Sequence, residues 1–268
     1  MRAALGWLVR GAALGTAAFA IFGPLVNLAL WAVTIQWYYP HKLPLSYGFK
    51  YWGDVFKPTS DAFASLATSV LIALFTVAAC LALAIPAGYA LARGRLPWRG
   101  LILLAFLLPQ AFPSLAVYIN IARLFYMVGL NGTIPGVVLV HTVHGLVFAV
   151  WISAAAFAAV DGELELAARN MGASALRAFI DVTLPLAAPG LMASAIFVFL
   201  ESLDEFTGTY FVGVPDVITL PLMMFTASIA GNYQIAAITA LILLVPSVGF
   251  MLFIERFLKA DVLAKVGG

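Results

Sequence analysis

Charge is scarce in this chain. Only 10% of its 268 residues are Asp, Glu, Lys or Arg, where a soluble domain carries about 25%. With 64% hydrophobic residues and a mean hydropathy of +1.05, the solvent of this chain is the lipid bilayer. The net charge of +2 is too small to point to nucleic acid. Cysteine is nearly absent. Cys80 stands alone inside an apolar run, which excludes a disulfide within the chain and lacks metal-ligand spacing, so it reads as a small buried side chain. No lysine directly follows a glycine, which excludes a phosphate-binding loop ending in Gly-Lys-Ser/Thr. Alternating strands of the membrane-barrel type are missing too, which leaves an all-α membrane protein.

What the chain has is long apolar runs. A span needs about 20 mostly apolar residues, and six stretches qualify: Ala12–Gln36, Phe63–Leu91, Leu101–Phe125, Pro135–Ala158, Leu186–Tyr210 and Ile235–Phe257. The first follows Arg2 and Arg10 and is longer than the signal-peptide core of about 7–15 residues, so it is expected to remain as an uncleaved helix. Lysine and arginine set the orientation. With the N-terminus inside, ten of the 14 fall on the cytosolic side (Arg2, Arg10, Arg93, Arg95, Arg99, Arg169, Arg177, Arg256, Lys259, Lys265), against Lys42, Lys50, Lys57 and Arg123 outside. Both termini are therefore expected in the cytosol. The first outer loop, Tyr38 to Asp61, is rich in Tyr, Trp and Pro and suits a membrane interface. Residues 1–268 read as a single transmembrane domain without an internal repeat.

One polar, helix-forming segment interrupts this pattern, from Asp161 to Gly190 between spans four and five. Asp161 is an N-cap residue, and Glu163 and Glu165 suit the positive end of a helix. Leu164, Ala167, Ala168 and Met171 share one helix face. Gly172 is placed to stop that helix in a left-handed conformation. Ser174 can cap a second helix with Leu176, Phe179, Ile180 and Leu184 on one face, ended by Pro185. Two short helices meeting at a glycine make a knob. An amphipathic elbow lying on the membrane would be basic, whereas this segment sets Asp161, Glu163, Glu165 and Asp181 against Arg169 and Arg177. Docking to a cytosolic partner is the better reading.

Polar residues also lie inside the apolar runs. Glu201, Asp204 and Glu205 share one face of span five, in its outer half. Acids there face a cavity or a partner. They either line a path for a cationic solute or make structural contacts, with Arg123 as one partner. His141 and His144 share a face of span four without further metal ligands, so helix–helix hydrogen bonds are expected. Pro109 and Pro113, flanking Gln110, are expected to kink span three. Val212–Asn232 reads as an outer loop with a short interfacial helix.

The polar segment resembles the cytoplasmic EAA loop in permease subunits of type I binding-protein-dependent ABC importers. The matching residues are Ala167, Ala168, the Gly172-Ala173-Ser174 run and Leu184-Pro185, at the family's spacing. Leu166 stands where the motif's glutamate would be, with Glu165 beside it, and Val182 replaces an isoleucine. The resemblance runs from span two to the C-terminus. It implies six spans with both ends inside, and a coupling helix (loop 161–190) seated on a separate ATPase subunit, with Glu165, Ala167, Ala168, Gly172, Ser174, Leu184 and Pro185 as coupling residues. It implies no cofactor in this chain and no enzyme activity of its own, since ATP and Mg would be bound by two partner ATPase subunits. The other implied partners are a second permease subunit, different or identical, and an extracytoplasmic solute-binding protein. The location implied is the bacterial inner membrane.

Ser202 to Phe206 and Thr219-Leu220-Pro221-Leu222 resemble the polyamine-type branch, which makes a polyamine or related cationic solute the expected cargo. Sugar, phosphonate and metal-ion permeases are the alternatives. Glu201, Asp204, Gln110 and Tyr118 are the candidates for the translocation path. A secondary transporter using Glu201 and Asp204 as ion sites would show matching broken helices in its two halves, and the sequence has none. An intramembrane enzyme built on His141 and His144 lacks a nucleophile–base pair.

Overall fold

The apolar runs fold into helices because hydrocarbon leaves a backbone no hydrogen-bond partner but itself. The computed structural model describes residues 2–57, 59–94 and 96–266, with the backbone only at 2–6, 8–9 and 257–266. Arg95, counted above among the inner cations, lies outside the described residues, as do the side chains of Arg2, Lys259 and Lys265. Two compact units are formed, Met1–Phe63 with Met223–Ile242, and Ala64–Leu222 with Leu243–Gly268.

The first unit holds α1 (Arg2–Ala32), with Pro24 inside it, a hairpin of β1 (Thr34–Gln36) and β2 (Ser46–Tyr47), and α2 (Lys50–Val55). The strands are antiparallel, Thr34 opposite Tyr47 and Gln36 opposite Ser46, with an irregularity between. The loop expected on the outside thus has a small sheet that its composition did not announce. The indole of Trp52 donates to the Ala32 carbonyl at 2.7 Å, satisfying a group at the end of α1. Trp31 stacks on Trp37 at 4.4 Å and meets Tyr233 at 5.2 Å.

The second unit is built from α3 (Ala62–Arg93), α4 (Arg99–Phe106), α5 (Leu108–Ala111), α6 (Ser114–Val128), α7 (Ile134–Ala159), α8 (Gly162–Asn170), α9 (Ala175–Ala178), α10 (Leu184–Asp204) and α11 (Thr207–Val212). Two further helices, α12 (Leu220–Ile229) and α13 (Tyr233–Val266), contribute to both units. Apolar on every side, α7 is the most buried of the long helices, as expected of a core helix. Its start is capped by Thr133, whose hydroxyl accepts from the Gly136 amide at 3.1 Å.

Lipid gives helices little hydrophobic reason to associate, so close van der Waals fit has to hold them together. Small residues supply it. A methyl group at Gly190 of α10 would lie 2.4 Å from the Ala156 methyl of α7. One at Gly88 of α3 would lie 2.8–2.9 Å from Ser153 and the Ala154 amide. Cys80 is wholly buried beside Gly145, and its thiol points to the Thr142 carbonyl at 3.8 Å. The expectation of a small structural cysteine is met.

Among the described residues, five helical stretches are long and apolar enough to cross a membrane. The expected third span, Leu101–Phe125, is not one kinked helix but three pieces, α4, α5 and α6. The reason is local. Pro113 pushes Phe112 into an extended conformation with φ −98° and ψ 149°, because a residue before proline avoids the helical region. At about 1.5 Å per residue, the 15 residues of α6 span roughly 22 Å, short of a hydrocarbon core of about 30 Å.

Replacing Gly190 with leucine is expected to destabilise the protein by about 1–3 kcal/mol through overpacking, read as a lower thermal midpoint in detergent. Gly249, around which a methyl group would meet nothing within 4 Å, is the control, and Gly249→Leu should leave the midpoint close to that of the unaltered protein.

Candidate functional site: the knob and the buried polar cluster

The knob begins where the sequence places it. Asp161 caps α8, its carboxylate accepting from the Glu163 amide at 3.0 Å. The helix ends in a paired reverse turn. The Gly172 amide donates to the Arg169 carbonyl at 3.0 Å and the Ala173 amide to the Ala168 carbonyl at 3.1 Å. This 5→2 and 6→1 pairing needs a left-handed residue, and Gly172 sits at φ +95°. Ser174 caps α9 through the Arg177 amide at 3.3 Å.

Pro185 behaves differently from the expectation. It does not end the second helix. A π-turn, Phe179–Thr183, joins α9 directly to α10, with Pro185 in the first turn of α10. The Leu184 amide reaches back to the Phe179 carbonyl. This wider turn gives the proline ring room that a regular α-turn would deny it. The second half of the knob, α9, is therefore continuous with α10 in one helical rod, Ala175–Asp204, while α8 stands off it across the Gly172 turn.

Ala168 is buried, whereas Ala167, Gly172, Ser174 and Pro185 are exposed and Leu184 is half-buried. Of the apolar face expected on α8, only Ala168 is packed within the chain. Leu164, Leu166, Met171, Leu176 and Ile180 all stand exposed, Met171 at 85%. A notch of about 270 Å³ opens around Gly172, between Met171 and Val182.

Glu165 faces the other way. It accepts from the Tyr89 hydroxyl of α3 at 2.6 Å and from the Thr183 hydroxyl at 2.9 Å. Tyr89 packs its ring against Phe157 and Phe179. One turn further along α3, Arg93 donates to the Val160 carbonyl at the end of α7, at 2.5 Å. Tyr89, Arg93 and Thr183 had no place among the sequence candidates. Nothing local marks them, since Tyr89 and Glu165 are 76 residues apart.

The second group lies among α6, α7, α10 and α11. Tyr118 is fully buried, and its hydroxyl bonds His144 Nδ1 at 2.9 Å and Glu205 Oε2 at 2.6 Å. Glu205 also accepts from the Gly208 amide at 2.8 Å, which caps α11 where the chain breaks after α10. His141 spans two hydroxyls, Ser202 at 2.8 Å and Thr209 at 2.9 Å. The histidines thus make the helix–helix bonds expected of them, and no metal-binding cluster occurs among the described residues. Glu201 is half-buried, while Asp204, Gln110 and Arg123 are exposed. Arg123 forms no ion pair with the span-five acids. Salt bridges are seen instead at Lys57–Asp54 and Arg177–Asp181. Of the path candidates, Tyr118 is walled in by protein, Gln110 lies within the short helix α5, and Glu201 and Asp204 lie on the last turn of α10.

Residues 84–260 match the family described as binding-protein-dependent transport system inner membrane component. A protein of Streptomyces antibioticus that carries the name of an ABC transporter permease is 32% identical over 198 residues, 73% of this chain and 86% of its own. The trehalose transport system permease protein of Mycobacterium tuberculosis is 30% identical over 226 residues, 81% of each. The fold is shared with a bacterial alginate ABC transporter solved in complex with a periplasmic protein bound to alginate pentasaccharide. Its TM-score is 0.69 at 15% identity, over 93% of both chains.

Tyr118→Phe removes the hydroxyl that serves both His144 and Glu205. It is expected to cost about 1–3 kcal/mol, seen as a lower thermal midpoint in detergent. Tyr126→Phe, at a side chain 73% exposed, should leave the midpoint unchanged.

Proposed function

Because the chain belongs to the binding-protein-dependent transport system inner membrane component family, and is thereby a permease subunit of an ABC importer, we propose that it crosses the membrane six times with both termini inside and is driven through the knob of α8 and α9. The observation that carries this is the set of exposed apolar side chains on the knob, Leu164, Leu166 and Met171 on and just after α8, Leu176 and Ile180 on the rod that continues into α10. A surface of that kind, beside a sharply defined glycine turn, fits a groove on a partner. The partner is an ATPase subunit, since the chain has no phosphate-binding loop. Two ATPase subunits, a second permease subunit and an extracytoplasmic binding protein complete the assembly. Ala167, Ala168, Gly172, Ser174, Leu184 and Pro185 form or shape the docking element. ATP binding would have to favour one arrangement of the spans over the other to do work. The alginate transporter's complex with a periplasmic protein supports the receptor as a partner.

For the solute, we propose a sugar-type compound ahead of the polyamine suggested by Ser202–Phe206. The permease for trehalose among the relatives supports this. So does the use of Glu205, one of the three acids, in tying Tyr118 and the start of α11. One observation keeps a cationic solute in view: Glu201 and Asp204 share the end of α10 near Glu205 with no ion pair to Arg123.

Tagged chain purified in mild detergent from its native membrane should bring with it an ATPase, a second six-span protein and the binding protein, whose solute can then be identified by screening trehalose against spermidine. A chain that purifies alone and still moves solute in vesicles would instead be a secondary transporter. Gly172→Val should insert normally yet lose most solute uptake, since a β-branched residue resists φ +95° by about 1–2 kcal/mol. Full uptake at normal expression would count against the coupling role. For the path, Glu201→Gln with Asp204→Asn should leave trehalose uptake intact and reduce spermidine uptake if the cargo is cationic.

A further inference from the structure

The knob has an inner side as well as an outer one, and Glu165 occupies it. Its two carboxylate oxygens take different partners, Oε1 the Tyr89 hydroxyl at 2.6 Å and Oε2 the Thr183 hydroxyl at 2.9 Å. Tyr89 belongs to α3 and Thr183 to the π-turn that opens α10. A single side chain of α8 is thus bonded at once to α3, 76 residues away in sequence, and to the π-turn that leads into α10. Charge-assisted bonds of this length are about twice as strong as neutral ones, and half-burial shields them from water. The surroundings are stiff. The Tyr89 ring is wedged between Phe157 at 5.6 Å and Phe179 at 4.8 Å. Arg93 holds the Val160 carbonyl just before α8 at 2.5 Å, and a methyl group at Gly162 would lie 3.2 Å from its guanidinium. Thr183 is wholly buried.

We propose that Glu165 is a positioning residue, the joint that hands movement of the knob to α3 and α10 together, while the outer contact of the knob is made by its apolar side chains. Glu165 therefore does not stand in for the glutamate missing at Leu166: its carboxylate is spent inside the chain. A displacement of α8 then pulls on the Tyr89 hydroxyl and the Thr183 hydroxyl in the same stroke. Without the carboxylate, α8 keeps its caps at Asp161 and Gly172 and its outer face, yet moves without carrying α3.

This inference rests on the importer reading, and one assay separates the two. The assembled complex is reconstituted in liposomes, and hydrolysis of MgATP is measured with and without the binding protein. Coupling between outer and inner sites is reciprocal, so the stimulation by the binding protein reports it. A wild-type complex that lacks an ATPase or fails to respond would overturn the importer reading before any variant is compared. In a responsive complex, Glu165→Ala should retain its ATPase at wild-type level and keep basal hydrolysis, while the stimulation falls about tenfold. Glu165→Gln, whose amide can still accept one hydroxyl, should keep part of it. Tyr89→Phe and Thr183→Val each delete one hydroxyl with little change of shape, and each should lose part of the stimulation. They decide the matter even if Glu165→Ala fails to accumulate. Unchanged stimulation in both single-hydroxyl variants, or loss of the ATPase from the Glu165→Ala complex, would overturn the proposal; the latter would make Glu165 an outer contact instead.

Discussion

A polar group carried into hydrocarbon has to find its partner within the protein, and the consequences run through this structure. Several hydroxyls inside the helices fold back on their own backbone: Thr142 donates to the Val138 carbonyl, Thr239 to that of Ile235 and Ser247 to that of Leu243, at 2.7–2.9 Å, whereas those of Thr76 and Ser153 are buried without a partner. Larger polar groups cannot be satisfied that way and reach across to other helices. His141 takes Ser202 and Thr209, and Tyr118 takes His144 and Glu205. Each such bond is modest in net terms, about 0.6–2 kcal/mol between membrane helices. Leaving any one group unpaired is costly. The bonds therefore fix which faces meet, while close packing supplies most of the attraction.

That packing explains where glycine and alanine are spent. The faces of α3, α7 and α10 that meet are studded with small residues, Gly88, Gly145, Ser153, Ala156, Gly190 and Ser194, and the backbones approach until a single added methyl would collide. The chain interrupts its helices at Phe112-Pro113 and again after Asp204. At the second break a carboxylate, Glu205, takes up an orphaned amide. Irregular backbone inside a membrane is tolerated where protein or a cavity surrounds it; the second break is held in this way by Glu205, whereas Phe112 and Pro113 at the first are exposed.

Much of this could be read from residue order, because local rules decide it. The cap at Asp161, the left-handed turn at Gly172 and the cap at Ser174 each depend on a few adjacent residues, and all three are present. Helix–helix bonds from the histidines followed from the lack of other metal ligands. The break in the third apolar run was legible as two prolines, though not its depth, which depends on the conformation forced on Phe112. Pro185 misled for an instructive reason. Proline stops a regular helix, but a widened turn before it lets the helix pass, and which will happen depends on the packing of Phe179 and Thr183. The bonds of Glu165 and Tyr118 were beyond any local rule, since their partners lie as far as 76 and 87 residues away. Only the assembled fold makes Glu165 an inward-facing group.

The π-turn before Pro185 also acts as an angular spacer. A helix advances about 100° per residue, and a π-turn accommodates one residue more than an α-turn would. That additional residue sets the rotational phase between the knob and α10. Were the stretch from Phe179 to Thr183 one residue shorter, the rod could stay helical and apolar in every part. Yet the face carrying Leu176 and Ile180 would swing by about 100° around the axis of α10. Length and composition would be almost unchanged, and Leu176 and Ile180 would point elsewhere.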